Sequence, residues 1–275
     1  MRTRRPRANG CIRGRLRISD DSLNTSTWQD FYDGELQGLY AVIAVPTLFL
    51  LYRLISGRPR GGVLPAASAF VDGYAIVFAI ATILHPIISG PLARALGLAD
   101  GLGATVVRLV FLLVGDFRVY LLIFGLIAIA AARPWKTAVG IALGWTVIVP
   151  IVAYSAATAL RAAVPGVSPA LIWPIYEALF AGMGWMLWAR VVPARVPSTQ
   201  PALRAFLRSA LLYVAAYYGL WAFADLLIQV GGIDAAWLLR VVPNQLYYAF
   251  WVPFVFFAFF SSRSHATSAS TQAAR

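Results

Sequence analysis

The chain has 275 residues, of which 60% are hydrophobic and 12% charged, and a mean hydropathy of +0.73. That leaves too little polar surface to coat a water-soluble globule of this size, so the expected solvent is lipid. The net charge of +12 does not argue for nucleic acid, because seven arginines fall within residues 2–17 and most others flank apolar segments; phosphate headgroups are the expected partner.

Residues 1–36 are basic and then acidic, and are expected to form a non-membrane, largely disordered segment. No apolar stretch follows the basic run before Gly38, so it lacks the layout of a cleaved signal peptide. The single Cys11 excludes an internal disulfide, a cysteine metal cluster and a dithiol site. Seven apolar stretches follow, at 38–55, 67–89, 105–132, 137–160, 169–190, 205–230 and 235–260. A crossing takes about 20 apolar residues, so the spans and their joints use up residues 37–260 and leave no room for a soluble domain. The predicted fold class is all-α, a polytopic membrane bundle of seven transmembrane helices. The tail at 261–275, rich in Ser, Thr and Ala, is expected to be disordered.

The joints carry turn signals, such as Ser56-Gly57-Arg58-Pro59-Arg60-Gly61-Gly62 after the first span and Gly231-Gly232 before the last. The third stretch is long: at 1.5 Å per residue it covers roughly 40 Å, more than the hydrocarbon core. It either tilts or breaks near Gly115. Loop charges set the orientation. With the N-terminus outside, the inner loops and tail hold Arg53, Arg58, Arg60, Arg133, Lys136, Arg190, Arg195, Arg204, Arg208, Arg263 and Arg275, against Arg94 and Arg161 in the outer loops; the basic run at 2–17 disagrees, but it lies more than about 20 residues from the first span, behind Asp20, Asp21, Asp30, Asp33 and Glu35, and weighs less. This asymmetry predicts an outside N-terminus and a cytoplasmic C-terminus in a cell membrane of bacterial inner-membrane type or its equivalent.

Ionisable side chains in a span are costly unless they face the bundle interior and find partners. The candidates are Asp72, His85, Arg108, Asp116, Arg118, Glu177, Asp225 and Arg240, most of them in the outer half. On the last span Arg240, Asn244, Tyr247, Tyr248 and Trp251 share a helical face; Tyr218, Trp221 and Asp225 do so on the sixth, and Trp173, Glu177, Ala181 and Gly184 on the fifth. Pro174 and Pro243 each deprive a carbonyl of its helical donor near Glu177 and Asn244. These features predict an outward-facing cavity lined by aromatics, with two carboxylates and at least one arginine. Asp116 and Arg118 lie two apart and point to nearly opposite sides of a helix, so each needs a partner elsewhere. Arg118 with Glu177, and Arg240 with Asp225, are the expected pairs. Buried acid and arginine pairs also lock helices together without chemistry, which is the competing reading for Asp116 and Arg118. Asp72, Arg108 and Asp234 are expected at interfaces, and His85, beside Pro86, is expected to hydrogen-bond rather than ligate.

The two histidines, His85 and His265, cannot build a three-histidine zinc site or a histidine-rich diiron site, and no cofactor is expected. Lys136 is the only lysine and lies in a joint, which excludes a retinal Schiff base. Gly-rich nucleotide loops are absent. The architecture is similar to that of seven-helix membrane terpene cyclases, without a shared motif. The leading sequence expectation is a membrane-embedded enzyme of cyclase or isomerase type acting on a lipid or isoprenoid. Glu177, Asp225 and Asp116 would be its catalytic carboxyls; Arg118, Arg240, Asn244, Tyr218, Trp221, Tyr248, Trp251 and His85 would bind substrate. The alternatives are a receptor or proton-linked carrier for a small amphiphile and a structural subunit of a membrane complex. Expected partners are membrane lipids and a lipophilic small molecule, not nucleic acid.

Overall fold

The computed structural model describes residues 27–57, 65–97 and 101–261, the side chain of Arg108 excepted. Cys11, His265, the basic run at 1–17 and the tail beyond Ser261 lie outside the described residues. The described residues contain no strand. Among the described residues seven helices are long and apolar enough to cross a bilayer: α1 Thr27–Ser56, α2 Pro65–Ala95, α3 Gly101–Ala130, α4 Trp135–Ala163, α5 Pro169–Arg195, α6 Pro201–Gln229 and α7 Ala236–Ser261.

The helices run alternately up and down. At the first end, where α1 and α7 begin and α2 finishes, Arg94 pairs with Glu35 at 3.2 Å and the rings of Tyr32 and Trp237 lie 5.4 Å apart. At the opposite end Arg53 of α1 pairs with Asp72 of α2, caps the Gly57 carbonyl, and lies 5.1 Å over the Phe256 ring of α7. Asp72 is therefore a staple joining helices, where sequence placed it only at an interface. The helical backbone also begins earlier than the first apolar stretch. Residues 27–33 already form a helix that packs its Tyr32 against α7.

Packing explains the composition. On α4 the buried residues Ala138, Ala142, Thr146, Val149, Ala153 and Ala157 recur at helical spacing, a stripe of mostly small side chains that lets the backbone approach α3 closely. The large apolar residues of α4, including Leu143, Val147, Ile151 and Tyr154, are exposed, as a lipid-facing surface requires. In α5, Gly184 lies against α6, where an added Cβ would meet the Leu211 carbonyl at 3.4 Å.

Helix α3 is the most enclosed of the seven. It is one continuous helix of 30 residues, with no break at Gly115. Gly115 instead serves a close approach, since a Cβ there would fall on the Tyr247 hydroxyl of α7. Gly125 does the same for the Phe70 ring of α2, which an added Cβ would meet at 2.7 Å.

Four helices contain a π-helical turn, and that in α7, Leu246–Phe250, lies between Pro243 and Pro253. Each proline removes a backbone donor, and a widened turn redirects the side chains it carries. Donors from neighbours reach the carbonyls of this turn: the Tyr213 hydroxyl bonds Leu246 O at 3.0 Å and the Arg118 guanidinium bonds Tyr247 O. Pro174 acts differently from the sequence expectation. It falls in the first turn of the α-helical part of α5, Ile172–Met186, behind a short turn capped by Ser168. A missing N–H is harmless there, so no helix break flanks Glu177.

Candidate functional site

Polar side chains inside the bundle form three connected groups. The first lies near the first end. Arg240 Nε of α7 stands 3.0 Å from Asp225 Oδ1 of α6, with its guanidinium 5.1 Å from the Tyr32 ring and 5.3 Å from the Trp237 ring. Glu177 of α5 is within hydrogen-bond reach of Asp225. Glu177 and Asp225 are 4% and 2% exposed, and one Glu177 oxygen, Oε2, is buried without a hydrogen-bond partner. The expected Arg240–Asp225 pair is present, and Trp221 lies beside Tyr32.

The second group surrounds Asp116 on α3. Its carboxylate accepts hydrogen bonds from the Tyr176 hydroxyl of α5 and, at 2.6 Å, from the Tyr218 hydroxyl of α6. Phe180 stacks on Tyr218 at 4.2 Å and Tyr120 packs on Phe180 at 5.2 Å, so the carboxylate is boxed by rings. The third group occupies the other side of α3. Arg118 donates to the Tyr247 carbonyl and to Thr82 Oγ1 at 3.3 Å, and lies 4.3 Å from the Tyr247 ring. The Tyr74 hydroxyl donates to the Arg118 carbonyl at 3.0 Å and accepts from Trp251 Nε1 at 2.8 Å.

This corrects the expected Arg118–Glu177 pair. Arg118 faces α2 and α7, whereas Glu177 faces α6, so they lie on different sides of α3. Asp116 and Arg118 do diverge as two-residue spacing demands, and the enclosed position of α3 gives each its own partners. Trp173 is 44% exposed and does not line the Glu177 stripe inside the bundle.

Two cavities open beside these groups. One of about 230 Å³ lies among α1, α2 and α7, with Tyr32, Asp33, Gln37, His85, Ser89, Asn244 and Tyr248 supplying its polar lining. A second, of about 20 Å³, lies deeper, against Thr82, Gly115, Arg118 and Tyr247; it shares His85 and Tyr248 with the first. It has room for about one water molecule. His85 stacks on Phe111 at 4.5 Å and lies 5.1 Å from Tyr248, so the two rings stand between the cavities.

Of the candidate residues, His85, Asn244 and Tyr248 line the larger cavity and Arg118 the smaller. Tyr218, Trp221 and Trp251 are packed inside the bundle, as are Glu177, Asp225 and Asp116. Sequence reasoning missed Tyr32, Gln37, Thr82, Tyr74 and Tyr176. Tyr32 and Gln37 lie in the polar segment before the first apolar stretch, although Trp28, Phe31 and Tyr32 at helical spacing are an amphipathic signal there. Tyr176 precedes Glu177 and lies four residues before Phe180, a signal for a second inward stripe on α5. Comparison with family models, curated proteins and solved structures returns no match.

Proposed function

We propose that the protein is a receptor or proton-linked carrier for a small amphiphile, taken up in the cavity among α1, α2 and α7. The loop charges orient this cavity outward, with the C-terminus cytoplasmic. The supporting observation is the separation of roles. The cavity has hydrogen-bonding walls from Tyr32, Gln37, His85, Ser89, Asn244 and Tyr248, while the Glu177–Asp225–Arg240 group lies behind Tyr32, with no carboxyl of that group in the lining. A ligand displacing Tyr32 disturbs Arg240, and through it the carboxyl pair. Binding and protonation are thereby linked without either carboxyl touching the ligand.

A second reading is a membrane-embedded enzyme on a lipid or isoprenoid, with Glu177, Asp225 and Asp116 as acid/base groups. It is favoured by the aromatic box around Asp116, an environment suited to a carbocation. Extraction of small molecules from the purified protein, followed by mass spectrometry, separates these readings. The carrier reading expects one defined amphiphile at near-stoichiometric level, lost in Asn244→Leu and retained in Glu177→Gln. Readdition of that amphiphile should change the pH of a weakly buffered solution for wild type and not for Glu177→Gln. Chemical conversion of the amphiphile would favour the enzyme, and bulk lipid alone in every sample would refute the site.

A further inference from the structure

At the opposite end of the bundle a cleft of about 210 Å³ opens between α3, α4 and α5, remote from the cavities described above. Its walls are apolar, formed by Phe124, Ile127, Ile141, Trp145, Leu187 and Val191. Arg133, from the α3–α4 joint, and Arg195, from the end of α5, stand in its lining together with Thr137. From Thr137 to Trp145 the cleft follows α4 for about 12 Å along the helix axis. We infer that this cleft binds one anionic phospholipid, its phosphate held by Arg133 and Arg195 and an acyl chain lying along α4.

Charge decides the occupant. Arg133 and Arg195 are exposed and make no ion pair with any described residue. Of the other cations at this end, Arg204 bonds the Val196 carbonyl at 2.6 Å, Arg208 stacks 4.1 Å from the Trp188 ring and Arg53 holds Asp72, while Lys136 and Arg190 are exposed without an ion pair to a described residue; Arg133 and Arg195 are set apart by their place in the cleft lining. Asp72 is the one acidic residue among those described at this end. The two cleft arginines are thus free to take an anion from outside the described residues. Residues 262–275 contain no Asp or Glu, and Arg263 and Arg275 are the charged side chains they carry. A lipid phosphate meets both requirements, because guanidinium groups bind phosphate by paired hydrogen bonds while the attached chain matches the apolar walls.

The joint itself is held in place. Ala132 takes a left-handed conformation (φ +50°), the Arg133 amide bonds Ala128 O at 2.8 Å, and Gln200 Nε2 reaches Ala130 O at 3.5 Å from the α5–α6 joint. The backbone carrying Arg133 is thus fixed before any lipid arrives.

The test is native mass spectrometry of the detergent-purified chain titrated with phosphatidylglycerol or phosphatidylcholine of identical acyl chains. Wild type should retain one phosphatidylglycerol in preference to phosphatidylcholine. Arg133→Gln/Arg195→Gln should weaken that retention about twenty-five-fold, roughly fivefold per guanidinium removed. Ile141→Trp, which fills the cleft and keeps both arginines, should weaken it as well, while Arg190→Gln/Arg208→Gln, an equal loss of charge at the same end, should leave it unchanged. Equal loss in the Arg190/Arg208 variant, full retention in Ile141→Trp, or equal retention of the two lipids would each overturn the assignment.

Discussion

Gly115→Ala is a sharp test of how the centre of the bundle is built. A Cβ at this position lands on the Tyr247 hydroxyl, and also 2.8 Å from Tyr247 Cζ and 3.4 Å from Cε1. The Tyr247 ring cannot simply rotate away, because it packs on Trp221 at 5.5 Å and on Tyr217 at 5.6 Å, and Arg118 lies over its face. Overpacking of this kind costs about 1–3 kcal/mol, offset by up to about 1 kcal/mol from the better helix propensity of alanine. The net expectation is a loss of up to about 2 kcal/mol, and of about 1–3 kcal/mol relative to an alanine placed in open space on another helix. Gly73→Ala in α2, where a Cβ meets nothing within 4 Å, should be neutral or mildly stabilising. Tyr247→Phe removes the clashing oxygen but leaves the ring carbon at 2.8 Å, so Gly115→Ala/Tyr247→Phe should recover about half of the loss. The assay is unfolding of the micellar protein by titration with sodium dodecyl sulfate, followed by tryptophan fluorescence. Gly115→Ala as stable as Gly73→Ala, or strict additivity in the double variant, would refute the close approach of α3 and α7.

Two further sets of substitutions probe the buried charges in the same assay. Arg240→Met leaves Asp225 buried without its cation and should cost about 3–5 kcal/mol, most of which returns in Arg240→Met/Asp225→Leu; equal stability of the single and double variants would refute a buried pair. Tyr176→Phe and Tyr218→Phe each remove one donor to Asp116 and should cost about 1–3 kcal/mol. Unchanged unfolding in Tyr176→Phe/Tyr218→Phe would show that Asp116 is satisfied some other way.

The seven spans are legible in the sequence because a bilayer imposes a length and a hydropathy that no neighbouring helix can change. Six of the seven helices begin within four residues of their apolar stretches, and the exception, α1, begins in the polar segment at Thr27. Helical faces are legible for the same reason: spacing alone places Tyr218, Trp221 and Asp225 together, and all three are buried. Partners are not legible where they depend on helix adjacency. Arg240 and Asp225 lie on consecutive helices near a shared short joint, and their pairing was foreseeable. Arg118 belongs to the most enclosed helix of the seven, and its partners, Thr82 and the Tyr247 carbonyl, come from α2 and α7. No feature of the third stretch announces which helices enclose it. The Tyr247 carbonyl is hidden for a further reason, since the π-helical turn bearing it leaves no mark on the hydrophobic period.

The position of α3 also bears on which buried charge borders the cavities. The larger cavity meets the smaller one at His85 and Tyr248, and the smaller one ends on Arg118. Asp116 is 0% exposed on the far side of the same helix, held by donors from α5 and α6. Beyond Arg118 stands the Tyr247 ring, whose other neighbour Tyr218, 6.0 Å away, donates to Asp116, so these two rings lie between the smaller cavity and that carboxylate. The Glu177–Asp225 pair is reached by a different boundary, through Tyr32 and Arg240, which join α1 to α7 directly over the pair. Tyr32 thus borders both the larger cavity and the Arg240–Asp225 pair, while Asp116 is held between the Tyr176 and Tyr218 hydroxyls.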